Sequence, residues 1–521
     1  MDIRFGAVWV LALGVGGMAG EGALAQSRQV TAPNIAPPGA PTPVSLDGDV
    51  FVNHGLVGVG RLDADTRDFA GETLGSFSGM TIDPASWHRN ADGSYGGTLY
   101  TIPDRGPNDV GTITGTTDYR NRVEVSEIRF RPYGGKAALP QSPASQSQLD
   151  IIPTGGFLLT DATGMPFTGK EPGSNVITRD GIAYPGPVSG EGAGRISLDS
   201  EAIARLPDGS FYISDEYAAH IYYFDAKGRQ IGTIAAVPAL LPRTGAVADF
   251  NSEKPGETGR RNNQGLEALA ITPDHRHLLA ILQSATIQDS SGQDGKGGEP
   301  QMRNNTRVLV YDIAQSRTPA KPVGHYVLQL PVYNSDGAGA PNRTAAQSEM
   351  VALSASRFLV LARDGIGRGA TPTKSATPVF KSILVADMKG ATNLAGSPYE
   401  QGVEPVAQGG ALVAGITPVR QAELVNLLDP AQLGRFGMNL DTRPSNATSL
   451  SEKWEAMAIV PTLDEKAPRD VFLFVGNDND FEAAHGLVNG QPFDASVKGE
   501  GGTGNNDNVI LVYRLTLPEI R

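Results

Sequence analysis

Asp199-Ser200-Glu201-Ala202-Ile203-Ala204-Arg205-Leu206-Pro207-Asp208-Gly209-Ser210-Phe211-Tyr212-Ile213-Ser214-Asp215-Glu216 reads as one β-hairpin. A short run of small and branched apolar residues meets a Pro-Asp-Gly turn, and a strongly apolar run follows it. The unit recurs. Glu267-Ala268-Leu269-Ala270 leads through Pro273-Asp274 to Leu278-Leu279-Ala280-Ile281-Leu282, and Glu349-Met350-Val351-Ala352 leads to Phe358-Leu359-Val360-Leu361. Glu455-Ala456-Met457-Ala458 leads to Val471-Phe472-Leu473-Phe474-Val475. A weaker copy, Ser78-Gly79-Met80-Thr81-Ile82 followed by Thr98-Leu99-Tyr100-Thr101-Ile102, carries Ser78 where the others carry Glu.

A hairpin recurring along a chain of this size predicts an all-β fold, a β-propeller, with small residues on the innermost strands where the axis is crowded. The copies lie about 65 to 120 residues apart, longer than compact blades, so long loop insertions separate them. Six blades are expected, with five or seven as alternatives. Val50-Phe51-Val52 and Val509-Ile510-Leu511-Val512-Tyr513 are expected to pair and close the ring. Gly-, Asp- and Asn-rich stretches at 284–305 and 493–508, and a polar stretch at 368–378, read as loops. One short helix is expected, capped by Thr417, with Pro418 in its first turn and Ala422, Val425 and Leu428 on one face.

The chain has 521 residues and a formal charge of −13, which argues against nucleic acid as a partner. Residues 1–25 read as a signal peptide: Arg4, an apolar stretch from Phe5, and the small residues Ala23 and Ala25 before the expected cleavage. A Pro-rich leader at 26–45 precedes a single domain at 46–521. The protein is therefore expected to be exported, periplasmic or secreted, a monomer with no membrane span. With no cysteine, no disulfide braces it, and stability must come from a buried core or bound metal.

In an antiparallel hairpin the start of the first strand and the end of the second lie side by side. Glu201, Glu267, Glu349 and Glu455 should therefore converge at one mouth of the axial channel with Asp104, Asp215, Asp364 and Asp478, which follow the second strands. Crowded carboxylates need cations or protons. Oxygen donors without thiolates favour a hard ion, calcium first. The competing reading is structural, with the acids binding turn amides or pairing with Arg105, Arg363 and Lys453.

At these residues the chain resembles the phytase-like domain family, "esterase-like activity of phytase". The matching segments are Ser78-Gly79-Met80 with Asp104-Arg105-Gly106-Pro107-Asn108, Asp199 to Gly209 with Ser214-Asp215-Glu216-Tyr217, and Asn263-Gln264-Gly265-Leu266-Glu267 with Gln283-Ser284. They continue with Glu349 to Asp364, Lys453-Trp454-Glu455 and Asn477-Asp478-Asn479-Asp480-Phe481. The sequence departs from the family in having Glu-Ala, rather than Glu-Gly, at 201, 267 and 455. The resemblance implies a propeller and a hydrolase acting on phosphate or other small-molecule esters, and with the carboxylate cluster the expectation is a metal-dependent one. On that chemistry Glu216 and Asp480 are candidate proton acceptors, and Arg105, Arg363 and Lys453 candidate grips for phosphate oxygens. The alternatives are a carboxylic ester or lactone hydrolase on the same channel, and a non-catalytic ligand-binding propeller. Gly164-Met165-Pro166-Phe167-Thr168-Gly169-Lys170 imitates a nucleotide loop but has Glu171 in place of the hydroxyl residue, and no Gly-x-Ser-x-Gly elbow is present.

Overall fold

The structure, a computed structural model, describes residues 41–254, 256–290, 303–369, 377–496 and 505–518. The expected signal peptide, most of the leader, and the middles of the three expected loops (291–302, 370–376 and 497–504) lie outside the described residues.

The hairpins form where the sequence puts them, and each grows into a four-stranded antiparallel array. A first hairpin joins β1 (Thr42–Leu46) to β2 (Asp49–Leu62), so the end of the expected leader is already strand. The first array is β3 (Gly79–Ile82), β4 (Tyr95–Ile102), β5 (Arg122–Phe130) and β6 (Leu149–Leu158). The second is β7 (Ser200–Arg205), β8 (Phe211–Asp215), β9 (Ile221–Phe224) and β10 (Gln230–Ile234). The third is β11 (Leu266–Ile271), β12 (His277–Leu282), β13 (Asn305–Asp312) and β14 (Gly324–Gln329). The fourth is β15 (Ala346–Ala352), β16 (Arg357–Arg363), β17 (Lys381–Asp387) and β18 (Arg420–Asn426). The fifth is β19 (Lys453–Pro461), β20 (Asp470–Asp478) and β21 (Asn508–Thr516), completed by β2 from the other end of the chain.

Among the described residues the second, third and fourth arrays are separate four-stranded sheets, while the first and fifth are joined into one ten-stranded sheet by a parallel contact of β2 and β6 at Gly60 and Leu149. Their first strands adjoin in cyclic order: β3 lies against β7, β7 against β11, β11 against β15, β15 against β19, and β19 against β3. Small residues allow this approach. A Cβ on Gly79 would sit 2.7 Å from the Glu201 carbonyl oxygen, too close for any side chain.

The core follows the same cycle, with one apolar cluster between each successive pair of arrays. The long apolar runs of the sequence have their cause here. In β20, Phe472 and Phe474 pack towards the first array beside Tyr95 and Phe130, while Leu473 and Val475 pack towards the fourth beside Leu359 and Val385. A strand covered on both faces reads as a continuous apolar stretch rather than as alternation.

The chain ends pair as anticipated, but in a different register. Leu56 lies opposite Tyr513, Val59 opposite Leu511 and Arg61 opposite Val509, while Val52 reaches only Thr516. Val50 and Phe51 face β1 instead.

The helix expected from Thr417 is absent, and most of its span, Arg420–Asn426, forms β18, hydrogen-bonded to β17 with a bulge opposite Ile383 and Leu384. Tertiary pairing overrides the spacing of three that separates Ala422, Val425 and Leu428. The same start signal, a capping side chain followed by proline, operates a little later. Asp429 caps α2 (Pro430–Arg435), accepting from the Ala431 and Gln432 amides. A second short helix, α1 (Pro398–Gln401), lies in the long β17–β18 connection. Among the described residues, no helix is long and apolar enough to cross a membrane.

Candidate functional site

A ladder irregularity at the head of the innermost strand decides where each glutamate goes. In β11, Leu266 pairs with Leu282 and Ala268 with Ile281, leaving Glu267 as the extra residue. In β19, Trp454 pairs with Asn477 and Ala456 with Gly476, leaving Glu455 extra. In β7, Glu201 and Ala202 lie between the Ser200–Asp215 and Ile203–Ile213 pairs. A bulge turns its extra side chain out of the pleat.

In β15 the bulge falls one residue earlier. Gln347 pairs with Ala362 and Glu349 with Leu361, so Ser348 is the extra residue. One residue of offset reverses the face a side chain takes. Glu349 accordingly accepts from the Met350 amide at 2.8 Å and the Leu269 amide at 3.4 Å, stitching β15 to β11.

Two groups of three carboxylates bring their oxygens within 4.8 Å of one another: Asp199, Glu201 and Glu216, and Asp104, Asp478 and Asp480. The first group is buried throughout. Asp199 grips Arg105 twice, accepting from its backbone amide at 3.1 Å and from Nη1 at 2.8 Å. Among the described residues no amide, hydroxyl or cationic donor is bonded to the carboxylates of Glu201 or Glu216, and Glu216 is hydrogen-bonded to the Asp199 carboxyl. Glu267 accepts from Gln283 Nε2 at 2.6 Å through Oε1, while its buried Oε2 has no partner. In the second group, Lys453 Nζ lies 2.6 Å from Asp480 and 3.4 Å from Asp478, and Ser78 Oγ donates to Asp478 at 3.3 Å. Arg363 pairs with Glu455 and also donates to Ser348 Oγ.

The electrostatics join these residues into one field. Burial first, and then Glu267 and Asp199, hold Glu201 well above the usual carboxylate range. Glu267 is raised by burial and then by Glu216 and Glu455. Asp104 is raised by burial, then by Asp478 and Asp199, and so links the two groups. Glu216 is pushed up to about 8 by burial and the adjacent Asp199. Glu455 goes the other way: burial opposes its charge, but Lys453 and Arg363 outweigh burial and lower it.

Two other predicted ligands are engaged within the fold. Asp215 accepts from the amides of Asp199, Tyr217 and Ala218, although burial still lifts it to about 7. Asp364 pairs with buried Lys381 at 2.7 Å and accepts from the amides of Val379 and Phe380. Sequence reasoning missed Asp199 as a site residue. It lies two residues before Glu201, and the corresponding positions of the other copies hold Gly265, Gln347, Lys453 and Ser76, so the repeat gave no signal for it.

All donors in both groups are carboxylate oxygens, and Glu267 Oε2 is an orphaned buried acceptor, a set that suits a hard divalent ion.

The chain is similar to several known proteins. An uncharacterized secreted protein of Arthroderma benhamiae is 33% identical over 468 residues, covering 82% of this chain and 87% of its own length. Solved structures similar to the chain include the PQQ-bound aldose sugar dehydrogenase of Streptomyces coelicolor (12% identity, 94% of this chain and 97% of that one, TM-score 0.25). The β-propeller domain of Cps50 (Swd1) from Myceliophteria thermophila is another (10% identity, 59% and 67%, TM-score 0.21). The family described as "Phytase-like: Esterase-like activity of phytase" matches residues 72–481, most of the chain. The chain belongs to the phytase-like family.

Proposed function

We propose that this protein is an exported, metal-dependent hydrolase of phosphate esters, working at one mouth of a closed five-bladed β-propeller with calcium as its ion. Family membership supports the hydrolase class, and the secreted relative supports export. One observation carries the metal reading: Asp199, Glu201 and Glu216 are gathered, buried and, at Glu201 and Glu216, without an amide, hydroxyl or cationic donor among the described residues. Such a group is stable only when a cation or protons neutralise it.

The residues that would hold the ion are Asp199, Glu201 and Glu216, with Glu267 on the adjoining strand. Bound there, a divalent ion supplies charge to offset a phosphate and to acidify water. Arg105 is fixed by Asp199 and lies over the Tyr217 ring at 5.9 Å, poised to bind phosphate oxygens. Asp480 is more exposed and stands at the rim, where it can accept a proton from water. Because Glu216 takes up a proton below about pH 8, protons compete with the ion, and its affinity should rise with pH.

The test is phosphate release from aryl phosphates, run with chelator and after calcium is restored, beside aryl acetates and lactones. Phosphate release that chelation abolishes and calcium returns is the expected result. Turnover indifferent to chelator would overturn the metal reading. Turnover confined to acetates or lactones would move the substrate class, and no turnover with any ester would leave a binding protein. The Glu201→Gln/Glu267→Gln protein should fold and lose metal.

A further inference from the structure

The two carboxylate groups at the mouth are chemically unequal. Asp104, Asp478 and Asp480 already have a cation: the ammonium of Lys453 sits on two of the three. Its position is fixed by the ladder, because Lys453 opens β19 directly opposite Asp478. The group is also supplied with donors. Asp104 accepts from the Gly106 amide at 3.0 Å, and Asp478 accepts from the Asp480 amide at 2.6 Å and from Ser78 Oγ.

The other group holds a cation at one member only. Arg105 faces Asp199, but Glu201 and Glu216 meet no amide, hydroxyl or cationic donor among the described residues. Independently of the group itself, Glu267, only 3% exposed, has an unpartnered Oε2 and heads β11, the strand that lies against the β7 strand headed by Glu201. The Glu267 carboxylate acts on Glu201 more strongly than any other charge.

We propose that Lys453 is the resident counter-ion of the Asp104–Asp478–Asp480 group, so that the mouth takes one divalent ion, at Asp199–Glu201–Glu216, and Lys453 sets that stoichiometry. The proposal rests on the metal reading given above. A second divalent ion in the Lys453 group would have to displace the ammonium or sit against a like charge, and either is unfavourable. An ammonium is also a fixed charge that cannot be lost to chelators, so that side of the mouth stays neutralised while the ion exchanges.

Ions per chain, measured by elemental analysis after equilibrium dialysis against calcium, test this without any assay of activity. The wild-type chain should hold one ion and the Lys453→Met chain two, a twofold rise. One ion in both chains overturns the role of Lys453 and leaves the metal reading standing, as do two ions in the wild type. No ion in either folded chain overturns both. Should Lys453→Met fail to fold, the Asp104→Asn/Asp480→Asn chain, in which repulsion is relieved, decides. It should keep its single ion, and loss of that ion overturns the assignment.

Discussion

His220 is a buried histidine whose two ring nitrogens are both occupied: Nε2 donates to the Ala183 carbonyl at 2.9 Å, and Nδ1 accepts from the Ala236 amide at 3.0 Å. That pattern fixes one neutral tautomer, and burial lowers its pKa to about 4. The unfolded chain takes a proton near pH 6.5 while the folded chain refuses it until about 4. The stability His220 contributes is therefore complete above pH 6.5 and is lost as pH falls towards 4, up to about 3 kcal/mol. Glu216 and Asp215, raised by burial, act in the opposite direction over pH 4 to 8, so the useful quantity is a difference between two proteins. In urea melts, His220→Gln should be less stable than wild type at pH 7, with the gap narrowing as pH falls from 6.5 towards 4. A gap independent of pH would contradict the neutral tautomer. The bulge offset supports a second prediction on the same scale. Glu349→Ala should cost about 1–3 kcal/mol, since two buried amides lose their acceptor, and leave metal content unchanged. Glu267→Ala should lower metal content, so equal metal loss in the two proteins would refute the distinction drawn between them.

At the level of strands and connections, the long β17–β18 segment is anchored by a buried network rather than by apolar contacts alone. Asp289 pairs with Arg307 at 2.7 Å and 3.0 Å, and accepts from the Val406 amide at 2.8 Å. Arg307 donates to His325, which meets Glu400 of α1 at 3.3 Å. Removing one partner strands a buried charge, so Asp289→Ala should cost about 3–5 kcal/mol and open the 394–412 stretch to limited proteolysis. Protection equal to wild type would show that this network does not hold the connection. This is also the scale at which the sequence was least legible. The hairpins could be read because Glu, a small apolar strand, a turn and a second apolar strand recur in order. What could not be read was set by pairing between distant strands. The one-residue bulge offset that turns Glu349 aside leaves no trace in Glu349-Met350-Val351-Ala352, and Ala422, Val425 and Leu428 carry a helical spacing that β17 overrules. Asp199 was hidden for a different reason, being an acid that only one copy of the repeat possesses.

Across the whole molecule, the fifth array is assembled from both ends of the chain, with β2 hydrogen-bonded along β21. Deleting residues through Leu46 removes only the edge strand β1 and should leave a cooperative unfolding transition. Deleting through Leu62 uncovers β21 and the apolar face that holds Leu511 and Tyr513, and should abolish that transition along with soluble expression. Similar melting of the two truncated proteins would mean that β2 is dispensable. The same joint bears on synthesis. A ribosome makes β2 long before β21, so the β2 edge that pairs with β21 waits for its partner while the arrays between them are synthesised. A prematurely terminated product lacks β21 and keeps an open edge for quality-control proteases to recognise. The seam thus makes the pairing of β2 wait on the synthesis of β21.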